Sequence, residues 1–145
     1  MKAFFDTSVL VPVFYGDHEH HAASLSTFLA YPKADGCCGV HSLAETFATI
    51  TRMPGKYRVS GEQALLFIDD IVERLTIISL TGHEYTAAVR RWANAGVQGG
   101  RIYDALLASC ALKSEASRLY TWNTKHYEGL TPDLDRRLRT PAQPK

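Results

Sequence analysis

At 145 residues, 46% hydrophobic and 21% charged, the chain has the length and apolar content of one ordinary domain, which buries its core without disulfide or metal staples. Sixteen basic residues against fifteen acidic ones leave a formal charge of +1, which does not announce a nucleic-acid binder and confines any basic surface to a local patch. The longest apolar run, residues 9–15, contains Pro12 and falls far short of the ~20 residues that span a bilayer, and Asp6 interrupts the N-terminal apolar run before a secretory core can form, so a cytoplasmic protein is expected.

Lys2-Ala3-Phe4-Phe5 reads as a short strand, stopped by the helix-capping residue types Asp6-Thr7-Ser8 before an apolar helix. Residues 18–30 carry Ala22, Leu25, Phe28 and Leu29 at helical spacing and stop at Tyr31-Pro32. Residues 36–40 suit a buried strand; its adjacent Cys37 and Cys38, with Cys110, offer neither a disulfide framework nor metal-ligand spacing and read as buried thiols. The next helix ends near Met53-Pro54-Gly55, with Leu43, Ala44, Phe47 and Ala48 on one stripe and Ser42, Glu45, Thr46 and Thr49 on the other. Ser60-Gly61-Glu62-Gln63 opens a capped helix with Ala64, Leu65, Ile68, Ile71 and Val72 inside, followed by a strand over 75–80. Helices over 84–95 and 102–113 then precede a strand at Leu119-Tyr120-Thr121-Trp122. No repeat or linker divides the chain: residues 1–130 are taken as the domain, and 131–145, with Pro132, Pro141 and Pro144, as a partly loose tail.

Helices alternating with short buried strands indicate an α/β fold, a mostly parallel sheet covered on both faces. Ligands in such sheets bind beyond the carboxyl ends of the strands, which puts Asp6 and Asn123 on one rim. Taken singly, the acids have ordinary roles: Asp6 as a helix cap, Glu45 on a solvated helix stripe, Asp104 in a first turn that favours carboxylates. Their context is less ordinary. Asp6 closes an apolar strand, and Asp104 heads a helix whose following residues are nearly all apolar or small, so both are expected to be partly desolvated without a basic partner. Crowded carboxylates of that kind suit a hard cation with oxygen ligands, Mg2+ or Mn2+ before zinc. Arg101 either holds a phosphate near these acids or simply flanks its helix. His18, His20 and His21 lack a cysteine to complete a zinc set and read as exposed; Lys56-Tyr57-Arg58 reads as a loop.

Four segments, Phe4-Phe5-Asp6-Thr7-Ser8-Val9-Leu10, Ser42-Leu43-Ala44-Glu45-Thr46-Phe47, Ile102-Tyr103-Asp104-Ala105-Leu106-Leu107-Ala108 and Leu119-Tyr120-Thr121-Trp122-Asn123, resemble in order and spacing the motifs of PIN-domain nucleases, VapC-type toxins above all. The resemblance runs from about Lys2 to Tyr127. It implies a three-layer α/β/α sandwich, Mg2+- or Mn2+-dependent cleavage of RNA as a toxin endoribonuclease, homodimerisation, and inhibition by a small antitoxin protein. Under it Asp6 and Asp104 hold the metal, and Glu45 is a further ligand or orients the attacking water. Thr121 and Asn123 complete the rim, and Ser8 is a hydrogen-bond partner of the carboxylates rather than a nucleophile. The chain departs from the pattern at Asn123, where PIN domains often carry an acid, and at His126-Tyr127, where a second acid often precedes an aromatic. Asn brings a carbonyl oxygen but no charge, which weakens a second metal position and leaves a rival reading: a PIN-like module that grips RNA or a protein without cutting.

Overall fold

The strands are short, and nearly every residue in three of them is buried, the pattern of a parallel sheet packed on both faces. In the computed structural model, which describes residues 1–142, five parallel strands form one sheet in the order β3-β2-β1-β4-β5: β1 (Ala3–Phe5), β2 (Gly36–Gly39), β3 (Thr76–Ile78), β4 (Arg118–Tyr120) and β5 (Leu138–Arg139). Alternation along the strands sorts the core into two. Phe4, in register with Cys37 and Leu119, packs with them against α5 (Gly82–Asn94), α6 (Arg101–Ser114), α7 (Thr124–Tyr127) and α8 (Pro132–Arg137). Ala3, Phe5, Cys38 and Tyr120 pack on the other face against α1 (Thr7–Val13), α2 (His21–Leu29) and α4 (Gly61–Arg74). Helices on both faces make the expected α/β/α sandwich. The adjacent cysteines thus enter opposite cores, and burial pushes the Cys38 thiol up to about 12, which keeps it protonated.

Chain order sets the position of the crevice. From β1 the chain builds outward through β2 and β3, then returns to lay β4 on the opposite side of β1. The carboxyl ends of β1 and β4 therefore flank the point where the strand order reverses, the usual binding crevice of an open parallel sheet. Asp6 directly follows β1, and residues 121–123 directly follow β4. Gly39 brings a third element there: a Cβ at this position would lie 2.7 Å from the end of the Leu107 side chain, so glycine lets α6, with Asp104 in its first turn, pack on β2 without displacing Leu107.

Three expectations need correction. Residues 131–142 are not a loose tail: Thr131 caps α8 with Pro132 in its first turn, Leu134 is fully buried in the core, and β5 pairs with β4. Looseness of 143–145 falls outside the described residues. In α3 (His41–Thr51), Ser42, Thr46 and Ile50 are buried while Ala44, Phe47 and Ala48 are exposed, so part of the polar stripe turns inward, towards α1 and the crevice. In α4 the capping box of Ser60 and Gln63 forms as read, but only Ala64 and Ile71 are buried; Leu65 and Val72 are 55% and 40% exposed. Among the described residues, no helix is long and apolar enough to cross a membrane.

Candidate active site

Asp6 does two jobs at the end of β1. Its backbone N–H continues the sheet by donating to the Tyr120 carbonyl at 3.0 Å, and its carbonyl accepts from Val9 to start α1. The carboxylate is left at the crevice, only 5% of the residue exposed, and is held at both oxygens. Oδ2 accepts from Ser8 Oγ at 2.6 Å and Thr121 Oγ1 at 2.8 Å, and Oδ1 from the Tyr127 hydroxyl at 2.6 Å. The two hydroxyls are themselves fixed by backbone, since Trp122 N donates to Ser8 Oγ and Asn123 N to Thr121 Oγ1, both at 2.9 Å. Burial pushes the Tyr127 hydroxyl well above its usual range, and the charge of Asp6, its hydrogen bond to Asp6, and the charges of Asp104 and Glu45 push it further, so it stays a neutral donor.

Glu45 reaches the same crevice from α3, where Thr7 Oγ1 lies 3.0 Å from its Oε1 and 2.9 Å from the buried Ser42 hydroxyl. A carboxylate cannot donate, so the Thr7 proton goes to Glu45 and the Ser42 proton can serve Thr7. Asp104 arrives from the first turn of α6, its side chain 27% exposed and its Oδ2 3.5 Å from His126 Nδ1. Partial burial raises its carboxyl above the usual carboxylate value; His126 opposes this, while the charges of Asp6 and Glu45 add to it, with Arg101 opposing.

The three acids line one cleft of about 620 Å³ together with Ser8, Trp122 and Asn123, and none of the described residues lining it is Lys or Arg. Among the described residues, no three His, Cys, Asp or Glu are grouped closely enough to form a ready cation cage. The donor set nevertheless fits a hard divalent cation: three carboxylates face one opening, burial and the charges of Asp6 and Glu45 raise the Asp104 carboxyl, and no Lys or Arg among the described residues lines the opening to neutralise them.

A family model for the PIN domain matches residues 3–128. The chain belongs to the PIN domain family. Among its relatives, Ribonuclease VapC27 of Mycobacterium tuberculosis is 32% identical over 111 residues, 77% of each chain. Ribonuclease VapC40 of the same species is 30% identical over 127 residues, covering 85% of this chain and 87% of the relative. The fold is shared with the crystal structure of M. tuberculosis VapC20, a toxin that cleaves the sarcin-ricin loop, at a TM-score of 0.69 and 14% identity over 87% of this chain and 93% of that one. It is shared also with VapBC-1 from nontypeable Haemophilus influenzae, at 0.65 and 18% identity over 97% and 98%.

Within this PIN domain, Asp6, Glu45, Asp104, Ser8 and Asn123 line the one cleft, and Thr121 touches it through Asp6. Asn123 is exposed and its side chain caps nothing in α7. Arg101 does not line the cleft: its guanidinium is exposed and donates to the Glu128 carbonyl at 2.9 Å, as a helix-flanking arginine would. Tyr127, Thr7, Ser42 and His126 were not singled out as site residues by sequence reasoning. Tyr127 stands 121 positions from Asp6, and nothing local marks a tyrosine as the partner of a distant carboxylate.

Proposed function

We propose that this chain is a metal-dependent endoribonuclease, the toxin of a toxin–antitoxin pair, acting in the cytoplasm. The observation that carries this is the set of three carboxylates, Asp6, Glu45 and Asp104, facing a cleft lined by no Lys or Arg, in a PIN domain whose matched relatives are named ribonucleases. Asp6 and Asp104 would hold Mg2+ or Mn2+, with Glu45 beside them. A divalent cation held there supplies positive charge to a phosphodiester and lowers the pKa of water at the site. Ser8, Thr121 and Tyr127 fix the Asp6 carboxylate in direction, since every one of them donates to it. Glu45, with Thr7 on one oxygen, keeps the other for orienting an attacking water and taking its proton. Partial burial first, and then the charges of Asp6 and Glu45, raise the Asp104 carboxyl, so a cation held there would favour its charged form.

Solved neighbours that are VapBC complexes support an antitoxin as partner, and a basic antitoxin side chain entering the cleft would compete with the cation for the carboxylates. Exposed Leu65, Leu66 and Phe47 supply apolar surface for the homodimer we also propose. The uncharged, exposed Asn123 favours a second reading, an RNA- or protein-binding PIN module without turnover. Incubating purified protein with defined RNAs in Mg2+, in Mn2+ and with chelator separates the two: cleavage that stops with chelator is expected, and binding without cleavage in either metal would establish the second reading.

A further inference from the structure

A line of aromatic rings leads out of the acidic cleft. Trp122 lines the cleft and is fixed by its Nε1, which donates to Ser24 Oγ at 2.9 Å. His20 lies flat on it, the centroids 3.7 Å apart and the planes at 9°, and His18 follows at 5.5 Å. His18 and Met53 line both the cleft and an adjoining pocket of about 260 Å³, whose other walls are Tyr15, Tyr57 and Asp17. Tyr15 and Tyr57 meet there edge to face at 6.4 Å, the Tyr15 hydroxyl donating to the Tyr57 carbonyl at 2.9 Å, and the Lys56 ammonium sits 5.3 Å over the Tyr57 ring.

We propose that this track, from Trp122 and His20 to Tyr15 and Tyr57, seats unpaired nucleobases of an RNA strand running into the cleft, an inference that rests on the ribonuclease reading. Trp122 and Tyr15 are partly buried against the core, but His18 is exposed and Tyr57 is 40% exposed, so the outer rings are not accounted for by core packing. Phosphates do not suit the walls, since Asp17 lines the pocket and Glu19, 3.6 Å from His20, lines the cleft. Bases do: they carry no charge, and every base has a face that stacks on an aromatic ring. Paired bases cannot offer those faces without leaving their helix, so the occupant is single-stranded. Lys56, at Tyr57, gives the outer end a cation for the backbone.

Fluorescence anisotropy in chelator and at fixed salt reads binding apart from cleavage. With a short labelled unpaired RNA as probe, Tyr57→Ala should weaken binding by about tenfold, Tyr57→Phe should restore it, and the same sequence as a duplex should bind more weakly. A measurement on the unaltered protein guards against misfolding of the variant: unpaired RNA should quench Trp122 emission, whereas Trp92, 1% exposed, stays unquenched. Equal affinity of Tyr57→Ala and the unaltered protein, or of duplex and unpaired RNA, would overturn the proposal and leave the rings to a protein partner. Tyr57-dependent binding without cleavage in Mn2+ would uphold the track and overturn the ribonuclease reading instead.

Discussion

Tyr127 donates its hydroxyl proton to Asp6 Oδ1 across 2.6 Å, joining the start of the chain to the short helix after β4. Both groups are almost wholly buried, so removing the hydroxyl leaves a charged acceptor short of a donor. Tyr127→Phe should therefore cost about 1.5–3 kcal/mol, a fall in Tm of roughly 3–10 °C for a chain of this size. Thermal unfolding checks the cost, and RNA cleavage should fall with it, because Asp6 loses one of the contacts that aim it.

Thr121→Ala removes a donor to the same carboxylate from a fully buried position, and its loss should reduce cleavage by about 10–100-fold. Thr121→Ser keeps the hydroxyl and should recover most of the rate. Equal activity of the Ala and Ser variants in a cleavage assay would remove Thr121 from the site.

Asp104 yields a prediction about pH. Its folded-state carboxyl lies above its usual value, so the folded state binds a proton more readily than the unfolded chain. Stability is therefore lowered at neutral pH and recovered as pH falls through that raised pKa. Asp104→Asn should melt about 1–3 °C above the unaltered protein at neutral pH, the gap closing on acidification or on adding Mn2+. Melting curves across pH, with and without Mn2+, read this directly, and the reverse order at neutral pH would contradict it.

Leu134 tests how far the folded unit extends. It is fully buried, so Leu134→Ala should cost about 2–5 kcal/mol in denaturant unfolding, and truncation after residue 130 should strip α8 and β5 from the sheet. A truncated chain as stable as the full one would restore the reading of 131–145 as a tail.

The sequence made the β1-to-α1 corner plain, because an apolar run ends on a capping acid, and it marked Asp104 by the apolar helix that follows. Glu45 was legible only through the order of the four motifs: a helix wheel sends it to solvent, whereas α3 turns part of its polar stripe inward because Ser42 and Thr7 offer that side hydrogen bonds near the cleft. The stretch after residue 130 reads as a loose tail when Pro132, Pro141 and Pro144 are counted together as breakers, although Thr131-Pro132 is a helix start, and a strand as short as β5 has too few residues to show alternation. Tyr127 and the aromatic track were invisible for a common reason. Their partners come from segments far apart in the chain, such as Tyr15 and Tyr57 or His20 and Trp122, and no local periodicity records such pairings.

Asn123 faces the cleft with no charge to contribute, so Asn123→Asp should lower the Mg2+ concentration needed for half-maximal cleavage several-fold. An unchanged requirement in a Mg2+ titration would mean that residue 123 takes no part in holding the cation.

Single-turnover cleavage of a defined RNA in saturating Mn2+, by the unaltered protein and by Asp104→Asn, tests most directly whether Asp6, Glu45 and Asp104 act as one hydrolytic site. With circular dichroism showing both proteins folded, the variant should lose at least about a hundredfold in rate. Cleavage by folded Asp104→Asn at the unaltered rate would contradict the assignment of these carboxylates to the chemistry.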